Sequence, residues 1–309
     1  MTKEIVLNPF NDKFFEENLM KNYGEFAEMT QRYVLQFASK RKDVRELKTI
    51  EEMQKFVEHY PEFLAEQGSV SKHLSLVQEL KEVVGTRKLM ELSMFEQDIV
   101  CQNKFNAHFE QLQQFIGDSS FHDFDKLKLT LIFIFRYQHK LDDHLSTLRT
   151  LLRQHCQLEG REIEVWSVFD LLSSILDYFG MDQRSTPLFE DEKTKLIGKL
   201  TSLVKFQFID IECVFTQHKP LLSRVIDEIM KNQLKVEHFP YLSDATLDKP
   251  PKDLIIFIVG GATYEEALTV SAKRQEHKCN IVLGSPWVHN SYSFLKDSIT
   301  NFTSFLDTA

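Results

Sequence analysis

Two short stretches of this chain carry residue types with a recognised chemistry. Gly260-Gly261-Ala262-Thr263 stands between an apolar run and a helical pattern, where glycine lets backbone N–H groups close on an anion at a helix start. The spacing is neither GxGxxG nor a P-loop, because the third glycine is missing and no lysine follows. The same residues form a tight turn in which Thr263 caps a helix with Glu266 as its box partner. Gly284-Ser285-Pro286 is similar to a nucleophile elbow, but Trp287 stands where that pattern needs its last glycine. His289, four residues past Ser285, is too near in sequence for the usual triad order. Together Gly260, Gly261, Ser285 and His289 are the residues an enzyme reading has to use, as a small α/β hydrolase or a nucleotide-binding protein.

The other reactive residue types are dispersed. The eleven histidines include no HExxH, and His139 and His144 are five apart, off one helical face. Cys101, Cys156, Cys213 and Cys279 are at least 55 residues apart, with no CxxC spacing, the usage expected of small buried hydrophobes in a reducing cytoplasm. Paired acids at Glu51/Glu52, Glu190/Asp191/Glu192 and Glu265/Glu266 fall at helix starts, where the dipole favours negative charge. No catalytic set, metal or cofactor is expected.

The elements that carry these residues are mostly helical. In 309 residues there are only 10 glycines and 8 prolines, so long helices are expected, and 26 phenylalanines favour aromatic packing between them. A net charge of −9 argues against a broad nucleic-acid face. The opening MTKEIVLNPF has no apolar core of a signal peptide, and no apolar run approaches the ~20 residues of a membrane span. Phe15, Leu19, Tyr23, Phe26, Met29, Tyr33 and Phe37 predict one long amphipathic helix from Asn11 to about Lys40. Thr49 and Glu52 form a capping box for a second helix, which is expected to stop at Tyr60 because Pro61 disfavours helical backbone before it. The pattern resumes at Val70 and carries through Gly85 to Ile99, so two helices broken by one proline make a hairpin over about 49–84. Further helices are expected over 103–116, 123–140, 143–156, 162–179, 188–208 and 217–233. Asp123 and Asp142 are expected as caps, and Pro187 and Pro220 in first turns.

A polar connection over 243–251 then leads to the unbroken run 254–259, a helix over 263–276, a second apolar run at 281–284 and a last helix over 290–306. That order is a βαβ unit with strands buried on both faces. Two such strands need neighbours, and the first 240 residues offer none. The chain is expected either to be short of an N-terminal portion, the reading we favour, or to pair its strands with another chain.

These pieces resemble the SM (Sec-one/Munc-eighteen-like) family. The resemblance rests on LIIFIVGGATYEEA (254–267), IVLG (281–284), HNS (289–291), TQHKPLL (216–222), HFPYL (238–242), EQDIVCQN (96–103), FVEHYPEF (56–63), VSKHL (70–74) and NDKFF (11–15), in the family's order along nearly the whole chain. It implies a Sec-one-like arch fragment: mainly α with a C-terminal α/β portion, a helical domain over 1–240, and the closing half of the central parallel-sheet domain over 241–309. The family's N-terminal domain and early strands have no counterpart here.

The resemblance further implies a non-enzymatic chaperone of vesicle docking and fusion in endosomal or Golgi trafficking. It would bind a syntaxin-like target SNARE and a vesicle SNARE helix, and meet membranes only through them. It assigns the vesicle-SNARE site to the hairpin, with Pro61 at its bend and Leu74 facing the SNARE. By helical spacing Val70, His73 and Val77 fall within a turn of Leu74 and line the same groove. The competing readings are the enzyme above and a helical scaffold without SNARE contact.

Overall fold

In the computed structural model, which describes residues 5–45, 49–141, 144–156, 217–242 and 249–297, the first helical pattern breaks in two. Helix α1 is Lys13–Asn18 and α2 is Tyr23–Arg45. The break is written in Asn22 and Glu25: each side chain accepts the other's backbone N–H, at 2.9 and 3.1 Å. This reciprocal cap starts a new helix where periodicity alone reads straight through.

Helix α3 runs unbroken over Ile50–Thr86 with Pro61 inside it, so the expected stop at Tyr60 does not occur. Proline removes one hydrogen bond and crowds the carbonyl four residues back. Pro61 is exposed, so water can reach the backbone group it frees. Packing secures both sides of it: Phe56 lies 5.6 Å from Tyr60 and 5.7 Å from Phe63, and Phe63 stacks on Phe37 of α2 at 5.0 Å. Lys40 of α2 pairs with Glu66 at 2.7 Å. Phe26 meets His73 at 6.1 Å, so from 26 to 37 along α2 the partner on α3 falls from 73 to 63: the two helices are antiparallel, the hairpin's arms are α2 and α3, and 49–84 is one arm of it. α3 ends at Thr86, and Lys88, at φ +51°, turns the chain before α4 begins at Leu89. The continuous helix expected through Gly85 is therefore two.

By its contacts the chain divides into two units, Met1–Leu89 and Met90–Ala309. The first holds α1–α3. In the second, α4 (Leu89–Cys101), α5 (Phe105–Gly117), α6 (Asp123–Tyr137), a 3-10 turn over Gln138–Lys140 and α7 (His144–His155) enclose Leu92, Phe95, Ile99, Leu112, Phe115 and Ile134. The phenylalanine excess is spent here: Phe95 stacks on Phe115 at 4.9 Å and Phe115 meets Phe121 at 4.7 Å. His122, not Asp123, is the N-cap of α6. His108 is wholly buried, with Nε2 3.0 Å from Asp98 and Nδ1 2.7 Å from the Tyr137 hydroxyl, so it is a satisfied core histidine.

The α/β portion begins after α8 (Leu221–Met230), whose N-cap is Pro220. Strand β1 (Asp253–Phe257) pairs in parallel with β3 (Asn280–Gly284), Leu254 opposite Ile281, and α9 (Tyr264–His277) crosses between them. Leu254, Ile256, Ile281 and Leu283 pack on Leu222 and Ile226 of α8 and Val270 of α9. A second parallel pair, β2 (Ala262–Thr263) with β4 (Val288–His289), is too short to leave a hydropathy signal. Residues 291–297 are helical. The expected helices over 162–179 and 188–208, with Pro187, Cys213, Asp142, residues 243–248 and the end of the last helix, lie outside the described residues. Among the described residues no helix is long and apolar enough to cross a membrane.

Candidate functional site

The glycine turn is built as a clasp. Gly260 and Gly261 have φ of 97° and 126°, and a Cβ on Gly261 would stand 2.3 Å from Cδ2 of His289. His289 donates from Nε2 to the Gly260 carbonyl at 3.1 Å, and its Nδ1 lies 3.2 Å from Ser293 Oγ. Ser285 donates to the Trp287 carbonyl at 2.5 Å. Ser285 and His289 are thus each engaged in their own turns and form no nucleophile–base pair, and Thr263 with Glu266 makes the full capping box. Gly261→Ala is expected to lower stability by about 1–2 kcal/mol, from positive-φ strain and displacement of the His289 ring. A denaturation midpoint equal to the wild type would contradict this.

One cluster has ligand-like geometry. Asp227, Glu276 and His277 bring a ligand atom each within 4.8 Å of one another. The Lys273 ammonium already sits among them, 2.7 Å from Asp227 and 2.8 Å from Glu276, while His277 Nε2 is 2.7 Å from Asp227. The chain supplies its own cation there. Burial by itself would raise the Asp227 carboxyl, but hydrogen bonds from Lys273 and His277 outweigh it and hold it below its ordinary value. The arrangement locks α8 to α9.

The hairpin presents two different faces of α3. Val70 and His73 point inward: both are buried, and His73 is 0% exposed. Its Nε2 lies 2.9 Å from Asp12, whose carboxylate also takes the Lys72 ammonium and accepts the Phe15 amide at 3.0 Å as the N-cap of α1. Phe14 stacks on Tyr33 at 4.4 Å and meets the His73 ring at 4.7 Å. Val70 and His73 therefore hold α3 against α1 and α2 and do not line an open groove, because 70 and 73 fall on the buried side of the 3.6-residue turn. Val77 is half-buried at the margin of that side.

Leu74 is different, 41% exposed on the flank, and Pro61 is exposed. With Leu74 go Val57, Tyr60 and Leu64, all exposed. Positions 57, 60, 64, 67, 71 and 74 step by three and four residues, the spacing that meets a partner helix in a two-stranded coil, with the polar Gln67 and Ser71 between Leu64 and Leu74. The sequence signal for this second stripe is present, but it is masked by the stronger inward one. The helix expected from Asn11 places Asp12 inside it and gives it no role, whereas the structure makes it the N-cap of α1.

The sequence model of the Sec1 family matches residues 1–297. The Vacuolar protein sorting-associated protein 45 of Mus musculus is 33% identical over 305 residues, which are 97% of this chain and 51% of that protein. The Dictyostelium discoideum protein of the same name is 35% identical over 301 residues, 96% of this chain and 51% of that one. The chain thus spans about half the length of the curated relatives it matches. Among solved structures, the SM protein Vps45 in complex with the Qa SNARE Tlg2 superposes with a TM-score of 0.74 at 30% identity, over 96% of this chain and 50% of that one. The Unc18–syntaxin 1 complex of Monosiga brevicollis, at 13% identity and a TM-score of 0.64 over 89% and 48%, shares the fold.

Proposed function

Because this chain belongs to the Sec1 family, we propose that it is an SM-type assembly factor for SNARE helices in vesicle docking and fusion. The observation that carries the reading is the outward stripe of α3, Val57, Tyr60, Leu64 and Leu74, apolar side chains left in water at coiled-coil spacing. A vesicle SNARE helix lies along this stripe, and a syntaxin-like SNARE, the class held by the solved Vps45 relative, is aligned with it. Holding two helices in register before they zipper removes much of the entropic cost of their encounter, and no bond is made or broken. The protein acts in the cytoplasm at endosomal or Golgi membranes, which it reaches through its SNAREs, and uses no cofactor and no nucleic acid. In domain terms the hairpin belongs to a helical part over 1–240 and the strands to an α/β part over 241–309.

Leu74 and Pro61 belong to the contact surface and Val77 to its margin, while Val70 and His73 support it from behind. Leu74→Lys is expected to weaken binding of a vesicle-SNARE motif peptide about tenfold or more, since a buried apolar anchor contributes ~1–3 kcal/mol. The far-ultraviolet circular dichroism should be unchanged, because the side chain is already partly in water. Equal affinities of the two proteins in a calorimetric titration would remove α3 as the SNARE face.

A further inference from the structure

We propose that the turn Asn8-Pro9-Phe10 is a docking element, read by an adaptor domain whose apolar pocket takes one aromatic ring presented on an Asn-Pro turn. Phe10 is 94% exposed, while its neighbours in the first unit are spent on packing: Phe14 stacks on Tyr33, and Phe37 stacks on Phe63. What holds the ring outward is local. The Phe10 amide donates to Asn8 Oδ1 at 2.9 Å, and the Asn11 amide donates to the Asn8 carbonyl at 3.2 Å. Side chain and main chain of Asn8 therefore close the same turn, and Pro9 presets the backbone inside it. Asn8 and Pro9 are half-buried against the protein, and Phe10 projects from them. Two residues on, Asp12 is fastened to Lys72 and His73 of α3. The turn thus stands on a fixed base, as binding loops do.

A tripeptide alone is a weak signal, and its structural context decides what it is. Here the two turn bonds, the proline and the outward ring present Asn-Pro-Phe already folded, so little ordering is left to be done when a pocket closes on it. The chemistry of the partner follows from the same residues. It needs an apolar wall for a ring that buries about 150–250 Å², and a polar rim for the Asn8 carboxamide. It needs no charge at the centre, because none of these three side chains carries one. One ring and one turn bury far less than the ~1,200 Å² of a stable complex, so the contact is weak and reversible. The inference rests on this turn and not on the SNARE reading. Phe10 precedes α1 and Leu74 lies on α3, so failure of the Leu74 experiment leaves it standing.

The test uses the 309-residue chain and, as probe, an EH domain, the endocytic-adaptor module whose ligands are Asn-Pro-Phe turns. A fluorescent Asn-Pro-Phe peptide is bound to the probe, and its displacement is followed by polarisation as the chain is added. The wild-type chain is expected to displace it. Phe10→Ala, changed only at an exposed position, is expected to keep its helical signal and to need at least a tenfold higher concentration, the loss of a central aromatic anchor. Asn8→Ala leaves the ring in place but removes the turn bond, and should cost several-fold. No displacement by the wild-type chain would overturn the proposal, as would equal potency of Phe10→Ala. Equal potency of Asn8→Ala would overturn it too, since the probe would then be reading a bare ring and not a turn. Self-association of the chain that Phe10→Ala abolishes, seen by light scattering, would assign the ring to a second copy and overturn it equally.

Discussion

Asp12→Ala is expected to lower the unfolding free energy by about 2–4 kcal/mol, from a buried imidazole nitrogen left without a partner and a lost helix cap. One carboxylate serves three groups: the Phe15 amide of α1, the Lys72 ammonium and the His73 imidazole of α3. Lys72 is a quarter exposed and can turn to water. His73 cannot: it is fully buried between Phe14 and Phe26, and its Nδ1 already lacks a partner. Without Asp12 both ring nitrogens are unsatisfied, and α1 loses its cap. Asp12→Asn keeps an acceptor and a cap and should recover part of the loss. A urea midpoint for Asp12→Ala within error of the wild type would contradict the latch.

The same pair sets a pH dependence whose sign follows from both groups. Burial pushes His73 below its ordinary 6.5 and outweighs the pull of Asp12. Burial also opposes ionisation of Asp12, but the bonds from Lys72, Phe15 and His73 prevail and hold it below 3.8. Each group therefore takes its proton at a higher pH in the unfolded chain than in the folded one. The contribution is complete above 6.5, declines as pH falls from there toward the lowered value of folded His73, and declines again below 3.8 through that of folded Asp12. In Asp12→Ala the second decline is absent, and the first is larger because His73 has lost the group that raised it.

What the sequence discloses here depends on whether the deciding interaction is local. The βαβ unit, the Thr263–Glu266 box and most helix bounds are local in origin, and the structure has them within a few residues. The break at Asn22 is also local but was overridden by a hydrophobic period that runs on through it. Pro61 misleads for the opposite reason: a strong local signal yields to Phe37, Lys40, Phe63 and Glu66, contacts made with another helix. Spacing brings Val70, His73, Leu74 and Val77 onto one side of α3, but it cannot say which edge of that side is covered. That was decided by Asp12, some sixty residues earlier in the chain, and by Phe14.

Pro61→Ala is expected to stabilise the hairpin by about 2–3 kcal/mol and to raise its thermal midpoint. Proline costs ~3 kcal/mol against alanine inside a helix, and alanine returns somewhat under 1 kcal/mol of that as added freedom in the unfolded chain. Pro61 is exposed, so the substitution opens no cavity, and the restored N–H can reach the Val57 carbonyl one turn back. The site lies between Tyr60 and Leu64 of the outward stripe, so the restored hydrogen bond stiffens that stripe. If α3 acts as the template for a partner helix, the variant should also speed SNARE assembly several-fold in a fluorescence assay, because less ordering is left to be done at the encounter. A rise in stability with an unchanged assembly rate would leave the helix energetics intact and remove α3 from the rate-limiting step. A fall in stability would mean that Pro61 makes a packing contribution larger than the hydrogen bond it forfeits.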